Sequence, residues 1–295
     1  MRPLGFPRLP PVTALRRLAV LLAALAGAPA APAAETVALP QGFLFEPLLA
    51  DPKRPRFFVS VLDARVGGLE TTAAAVAYGG RYGLVRWPGS RRRAGWQLNL
   101  AGAVFAQFDL EAPSMDLINA DYTLGLPLTY RRGRDALRLR VYHQSSHLGD
   151  EFLLRNDPER VNLSYEAAEA LYSRDIGTAR AYLGGEYYFH RQPDSLKAGM
   201  LHGGVDYRRP EPVVLGWEGG GTYLVAGADL KAFEHHDWDP AWSLTGGLEF
   251  HPTLPDQPRD KYWSLLAVWY DGPSPYGQFF TQEVRYWGLS IEFNL

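Results

Sequence analysis

The stretch WQLNLAGAVFAQFDL, Trp96 to Leu110, decides the fold. Its even positions are Trp96, Leu98, Leu100, Gly102, Val104, Ala106, Phe108 and Leu110, while Gln97, Asn99, Gln107 and Asp109 stand at odd ones. Alternation with period two places the two sets on opposite faces of a strand, one meeting an apolar medium and the other a polar one. The pattern returns at Ile118–Tyr130, with Ile118, Ala120, Tyr122, Leu124, Leu126, Leu128 and Tyr130 on one face and Asn119, Asp121, Thr123 and Thr129 on the other. It returns again at Trp242–Phe250. These runs are about 11–15 residues long, whereas soluble strands centre on about 5–6 and tilted membrane strands need about 9–11. Aromatics stand near the strand ends, at Trp96 and Phe108, Tyr122 and Tyr130, Trp242 and Phe250, where a membrane barrel carries its interfacial girdles.

Working outward, twelve strands are expected near 56–66, 72–84, 94–109, 118–131, 136–147, 160–172, 178–190, 199–208, 221–233, 241–251, 261–271 and 281–295, or ten if the weakly alternating first two are discounted. The expected fold is all-β, a transmembrane antiparallel β-barrel. The last strand carries Trp287, Leu289, Ile291, Phe293 and Leu295 on one face and resembles the C-terminal targeting strand of outer-membrane proteins, with Leu295 where phenylalanine is usual. Composition agrees with an unusual solvent. The 295 residues include 16 Tyr, 14 Phe and 8 Trp but no Cys, which excludes a disulfide framework, a thiol nucleophile and a thiolate metal site. No stretch is apolar for long enough to form a membrane helix.

Residues 1–33 read as a secretory signal peptide: Arg2, Arg8, Arg16 and Arg17, then an apolar run from Leu18 to Ala26, then Ala31-Pro32-Ala33 as the cleavage site. Losing those four arginines takes the formal charge from −2 to −6, so no global basic surface for nucleic acid remains. Residues 34–55, with Pro40, Pro47, Pro52 and Pro55, read as a periplasmic lead-in, and 56–295 as the barrel. All basic residues of the mature chain except Lys53, Lys197, Lys231 and Lys261 are arginines, whose planar fork suits fixed carboxylate pairing in a crowded polar interior. The expected lumen charges are Asp121, Arg138, Arg140, Glu166, Arg180, Glu186, Asp206, Arg208, Asp229, Lys231 and Glu249. They read as structural neutralisation of a filled interior, with a narrow solute pore as the sharper alternative.

Tyr142-His143-Gln144-Ser145-Ser146-His147-Leu148-Gly149-Asp150-Glu151 breaks the alternation. Leu137, Leu139 and Val141 set the lipid-facing parity, and continuing it puts His143, Ser145 and His147 outside. Polar groups facing lipid are costly, and such exceptions mark candidate sites. His143 and Ser145 share a face with Cα atoms about 6.6 Å apart at a rise of ~3.3 Å per residue, so an imidazole nitrogen could take the serine proton. His235-His236 reads as an exposed loop pair. If Gly149-Asp150 forms a two-residue turn, His143 lies opposite Asn156. The next strand, with Val161, Leu163 and Tyr165 outward, has the opposite parity to Asn156, so a bulge near Asp157-Pro158 is needed to bring it into line.

Here the chain resembles the outer-membrane phospholipase A family, twelve-stranded barrels with a Tyr-His-Gln-Ser-type motif on a lipid-facing strand and an asparagine about a dozen residues later. Tyr142-His143-Gln144-Ser145 matches and Asn156 follows, while the family's Ser-Asn-Gly continuation is replaced by Ser146-His147-Leu148. The resemblance implies a serine esterase acting on phospholipid, assisted by calcium and active as a dimer. Ser145 would be the nucleophile, His143 the base and Asn156 the group orienting the imidazole. Over most of its length the chain also resembles an uncharacterised family of outer-membrane barrels, through Phe57-Phe58-Val59-Ser60, Asn119-Ala120-Asp121-Tyr122, Tyr142 through Glu151 and Asn162-Leu163-Ser164-Tyr165-Glu166. That resemblance implies location and architecture, and no activity. The expectation is therefore a barrel of the bacterial outer membrane with a candidate lipid-ester hydrolase site. A structural barrel and a narrow pore are the alternatives. Expected partners are outer-membrane lipids, the barrel-assembly machinery during insertion and a second copy of the chain.

Overall fold

Alternation becomes geometry when each strand finds a partner on both sides. The computed structural model of the chain describes residues 35–66, 69–89, 94–158, 160–215, 220–251 and 261–294. The segment expected as a signal peptide, residues 1–33, and Leu295 lie outside the described residues. Twelve long strands run in order: β1 (Phe57–Val66), β2 (Leu69–Pro88), β3 (Gly95–Asp109), β4 (Leu117–Arg132), β5 (Asp135–Leu148), β6 (Leu163–Ile176), β7 (Ala179–Gln192), β8 (Gly199–Arg208), β9 (Gly221–Phe233), β10 (Pro240–His251), β11 (Tyr262–Pro273) and β12 (Glu283–Asn294). Each pairs antiparallel with its neighbours in sequence, and β12 pairs with β1, with Ser290 opposite Ser60. Closure leaves no unpaired edge in the wall. Two-residue pieces at Val37–Ala38 and Val214–Leu215 add to β2 and β9.

In β3 the odd positions Gln97, Asn99, Ala101, Ala103, Phe105 and Gln107 are buried, and Leu100 on the other face is exposed. Outside, β4, β7, β8, β10 and β12 expose Leu124, Leu183, Leu201, Leu244 and Leu289. The apolar face therefore points out and the polar face in, the reverse of a soluble barrel.

The lumen is filled, and the filling comes from an unexpected source. The segment expected as a periplasmic lead-in lies inside the barrel, with Leu44, Phe45, Leu48 and Leu49 buried. Wall arginines donate to its carbonyls: Arg81 to Phe45 at 2.9 Å, Arg131 to Leu44 at 3.4 Å, and Arg180 to Glu46 and Pro47 at 2.8 and 2.6 Å. Ion pairs tie Lys53 to Asp121 (2.6 Å), Asp51 to Lys231 (2.7 Å) and Arg54 to Glu292 (2.6 Å). Irregular backbone is tolerated here because the wall side chains satisfy its polar groups. This is the use the sequence makes of its arginines: the guanidinium fork reaches several acceptors at once, as Arg180 does by also bonding Asp206.

The filling also corrects the parity of β6. Leu163, Tyr165 and Leu171, expected outside for the first two, face the lumen, while Ser164, Glu166, Ala168 and Ala170 face out. Leu171 packs with Phe45 and Leu48 of the inserted segment, and Tyr165 stacks on Tyr188 with ring centroids 4.5 Å apart. An apolar filling makes an apolar lumen residue favourable, so polarity alone misassigned this strand. Glu166, expected among the lumen charges, is thereby on the outer face.

Candidate active site on the outer face

The site is built where β5, β6 and β7 run side by side. On the outer face of β5, Leu137, Leu139 and Val141 give way to His143, Ser145 and His147, as the parity of the strand requires. The expected two-residue turn after this strand is absent. Gly149 leads instead into a helix, α1 (Asp150–Asn156), with its N–H donating to Ile118 O at 3.0 Å. A Cβ at Gly149 would overlap the Leu117 carbonyl, so glycine is what lets the chain leave the strand this close to β4.

The helix changes the register from the one a tight turn would give. His143 stands opposite Glu166 and Ser145 opposite Ser164, with Ser145 also opposite Tyr122 of β4. Asn156 is the last residue of α1, and its Nδ2 donates to Phe152 O at 3.2 Å. The partner of His143 is Glu166: Oε1 lies 3.0 Å from His143 Nδ1. The other oxygen, Oε2, lies 2.6 Å from Nδ1 of His190 on β7. A carboxylate can only accept, so Nδ1 of His143 carries the hydrogen in that bond, and His190 meets the other oxygen as a close polar contact. His143 therefore presents Nε2 as the free basic nitrogen.

His190 reaches this place through a bulge. Ala167 pairs with Tyr188 and Glu166 with His190, which leaves Phe189 as an extra residue in β7. Phe189 and His190 are consequently both exposed. Bulges of this kind re-aim side chains and gather near active sites.

Among the described residues no hydrogen bond joins the Ser145 hydroxyl to His143; such contacts are often long until substrate is bound. His147 packs edge-on against Tyr122, with ring centroids 5.8 Å apart, and takes no part in the cluster. The loop pair expected to be exposed is half-buried, and His236 Nε2 lies 2.7 Å from Phe280 O. Nearby, a hydrogen bond to Lys197 at 2.7 Å holds the Asp237 carboxyl below its usual range. Among the described residues no three His, Asp or Glu side chains come together in a metal-holding arrangement, and both Glu166 oxygens face histidines.

The inner face of the same motif lines a second concavity. Tyr142 and Gln144 point into the lumen beside Arg140, Glu186, Tyr188 and Lys231. Tyr142 OH donates to Glu186, and Arg140 bridges Glu186 and Glu169 at 3.2 and 2.8 Å. Asp51 and Lys53 of the inserted segment also line this cavity. The motif thus contributes two residues to each side of the wall.

The sequence singles out His143 and Ser145 but not Glu166 and His190, which the structure brings beside His143. A clue to Glu166 was present. Glu166 and Glu169 are three apart, so one of them must point outward from any regular strand. For His190 no periodic signal existed, because its position depends on the bulge.

Two solved structures share the architecture. Outer membrane phospholipase A from Escherichia coli superposes with a TM-score of 0.56 at 12% identity, over 86% of this chain and 95% of that one. The Salmonella typhi outer membrane phospholipase, a dimer with bound calcium, gives 0.53 at 12% identity, over 85% and 95%. At such identity the likeness is one of fold: a twelve-stranded outer-membrane-type barrel. No curated protein matches the sequence. Residues 21–295 match a single family model, and the chain belongs to that family, described as a protein of unknown function, DUF1207.

Proposed function

We propose that the chain is an integral protein of the bacterial outer membrane that hydrolyses the acyl esters of membrane lipids, phospholipids foremost. Ser145 is the nucleophile, His143 the general base and Glu166 the group that orients the imidazole. The observation that carries this reading is the His143–Glu166 hydrogen bond on Nδ1, with Ser145 two residues along the same outward face. Holding a carboxylate and imidazoles on a lipid-facing surface is costly and serves no packing purpose.

In the proposed reaction Ser145 Oγ attacks the acyl carbonyl while His143 Nε2 takes its proton. The Glu166 carboxylate stabilises the imidazolium that forms. His143 then passes the proton to the departing alcohol oxygen, leaving the acyl group on Ser145. Water attacks next, giving its proton to His143, and the acid leaves as Ser145 recovers its hydrogen. The Ser164 hydroxyl, directly opposite Ser145, lies at cross-strand neighbour distance, with Cβ atoms about 4.5–5.5 Å apart, and can donate to the developing oxyanion. No step is assigned to calcium.

The filled lumen supports this reading over a solute pore, and the polar outer cluster supports it over a purely structural barrel. The Salmonella typhi protein is a dimer, and a second copy of this chain over the outer cluster would shield one side of it from lipid. The test is hydrolysis of a phospholipid in mixed micelles by the refolded barrel, with Ser145→Ala beside it. Release of fatty acid that disappears in S145A supports the reading; equal release from both overturns it.

A further inference from the structure

The proposed reaction needs one imidazole, and the outer face carries two on one carboxylate. We infer that His190 is a positioning residue of the same centre, holding Glu166 so that its other oxygen stays on His143; the inference rests on the hydrolase reading above.

Glutamate is a flexible side chain, and a single hydrogen bond to His143 leaves its carboxylate free to swing. A second contact on the other oxygen, with His190 Nδ1 2.6 Å away, engages both ends of the carboxylate. The chain departs from a regular ladder to provide that contact. With Ala167 opposite Tyr188, regular pairing would bring Phe189 to Glu166, and the bulge brings His190 instead. Phenylalanine would suit an apolar surroundings better, and the His190 side chain is 68% exposed on a face otherwise lined by Leu183, Tyr187 and Phe189. A polar ring in that setting is kept for its contact with Glu166. His190 is on β7, two strands from Ser145, so it acts through Glu166 and not on the reacting atoms.

The test uses the refolded full-length barrel in detergent and two probes, a p-nitrophenyl ester of a medium-chain fatty acid and a fluorophosphonate that labels activated serines. His190→Phe removes the ring nitrogens facing Glu166 and keeps a planar ring; His190→Gln keeps a polar group of similar reach. H190F is expected to lower kcat about 10- to 100-fold while KM stays within about 2-fold, and to slow labelling of Ser145 by the same factor. H190Q is expected to recover to within about 3-fold. The low-field NMR signal of the His143 Nδ1 proton should persist in H190Q and be lost in H190F, a change that mere loss of surface packing would not produce. If H190F does not fold, His190→Ala replaces it in the same comparison. Turnover and labelling in H190F equal to wild type, with S145A inert, overturn the role of His190 and leave the hydrolase reading standing. Wild-type protein that is neither active nor labelled at Ser145 overturns the hydrolase reading, and this inference with it.

Discussion

Glu166 accepts the Nδ1 hydrogen of His143 across the β5–β6 ladder at 3.0 Å, and it does so on the outside of the barrel. In the lumen Glu169 and Asp206 are met by arginines and Asp229 by His202; on the outer face Glu166 is met by two histidines and no arginine. Arginine holds its proton whereas imidazole exchanges it.

Glu166→Gln keeps the size and an acceptor oxygen but removes the charge that stabilises the imidazolium. We expect kcat to fall about 10²-fold or more, with KM little changed, measured by ester hydrolysis at substrate concentrations spanning KM. An unchanged kcat would remove Glu166 from the account.

Asn156→Ala separates this geometry from the one a motif resemblance implies. Asn156 bonds Phe152 O within α1, so the variant should retain activity within about 2-fold while the exposed helix end loses only local stability, by about 0.5 kcal/mol or less. A large loss of kcat in N156A, measured in the same assay, would show that asparagine orients the histidine after all.

Much of the architecture was legible because strand period and length are local properties. The boundaries of β3, β4, β8 and β9 lie within a residue or so of those expected from alternation. The parity of β6 was not legible, since Leu163 and Leu171 face inward only because other parts of the chain supply apolar partners there: Tyr142, Tyr165 and Leu196 for one, Phe45 and Leu48 for the other. The same segment that fills the lumen was read as a lead-in because its prolines rule out a strand and nothing local says where it packs. His143 and Ser145 stood out by breaking a pattern. Glu166 fitted the wrong pattern, and His190 depended on an inserted residue.

Arg180→Ala tests the inserted segment. Arg180 is buried and donates to Glu46 O, Pro47 O and Asp206. Removing it leaves a buried carboxylate without its cation, at a cost of about 3–5 kcal/mol. The denaturant midpoint of the folded barrel, followed by its heat-modifiable migration, should fall clearly below wild type. An unchanged midpoint would mean that the segment contributes little to the stability of the barrel.

The most direct measurement is the site of covalent modification by a fluorophosphonate, mapped by mass spectrometry on the refolded wild-type barrel and on His143→Ala. The account predicts a single adduct on Ser145 that forms in wild type and is absent in H143A. An adduct on Ser164 or another serine, or labelling of Ser145 that proceeds equally without His143, would contradict it.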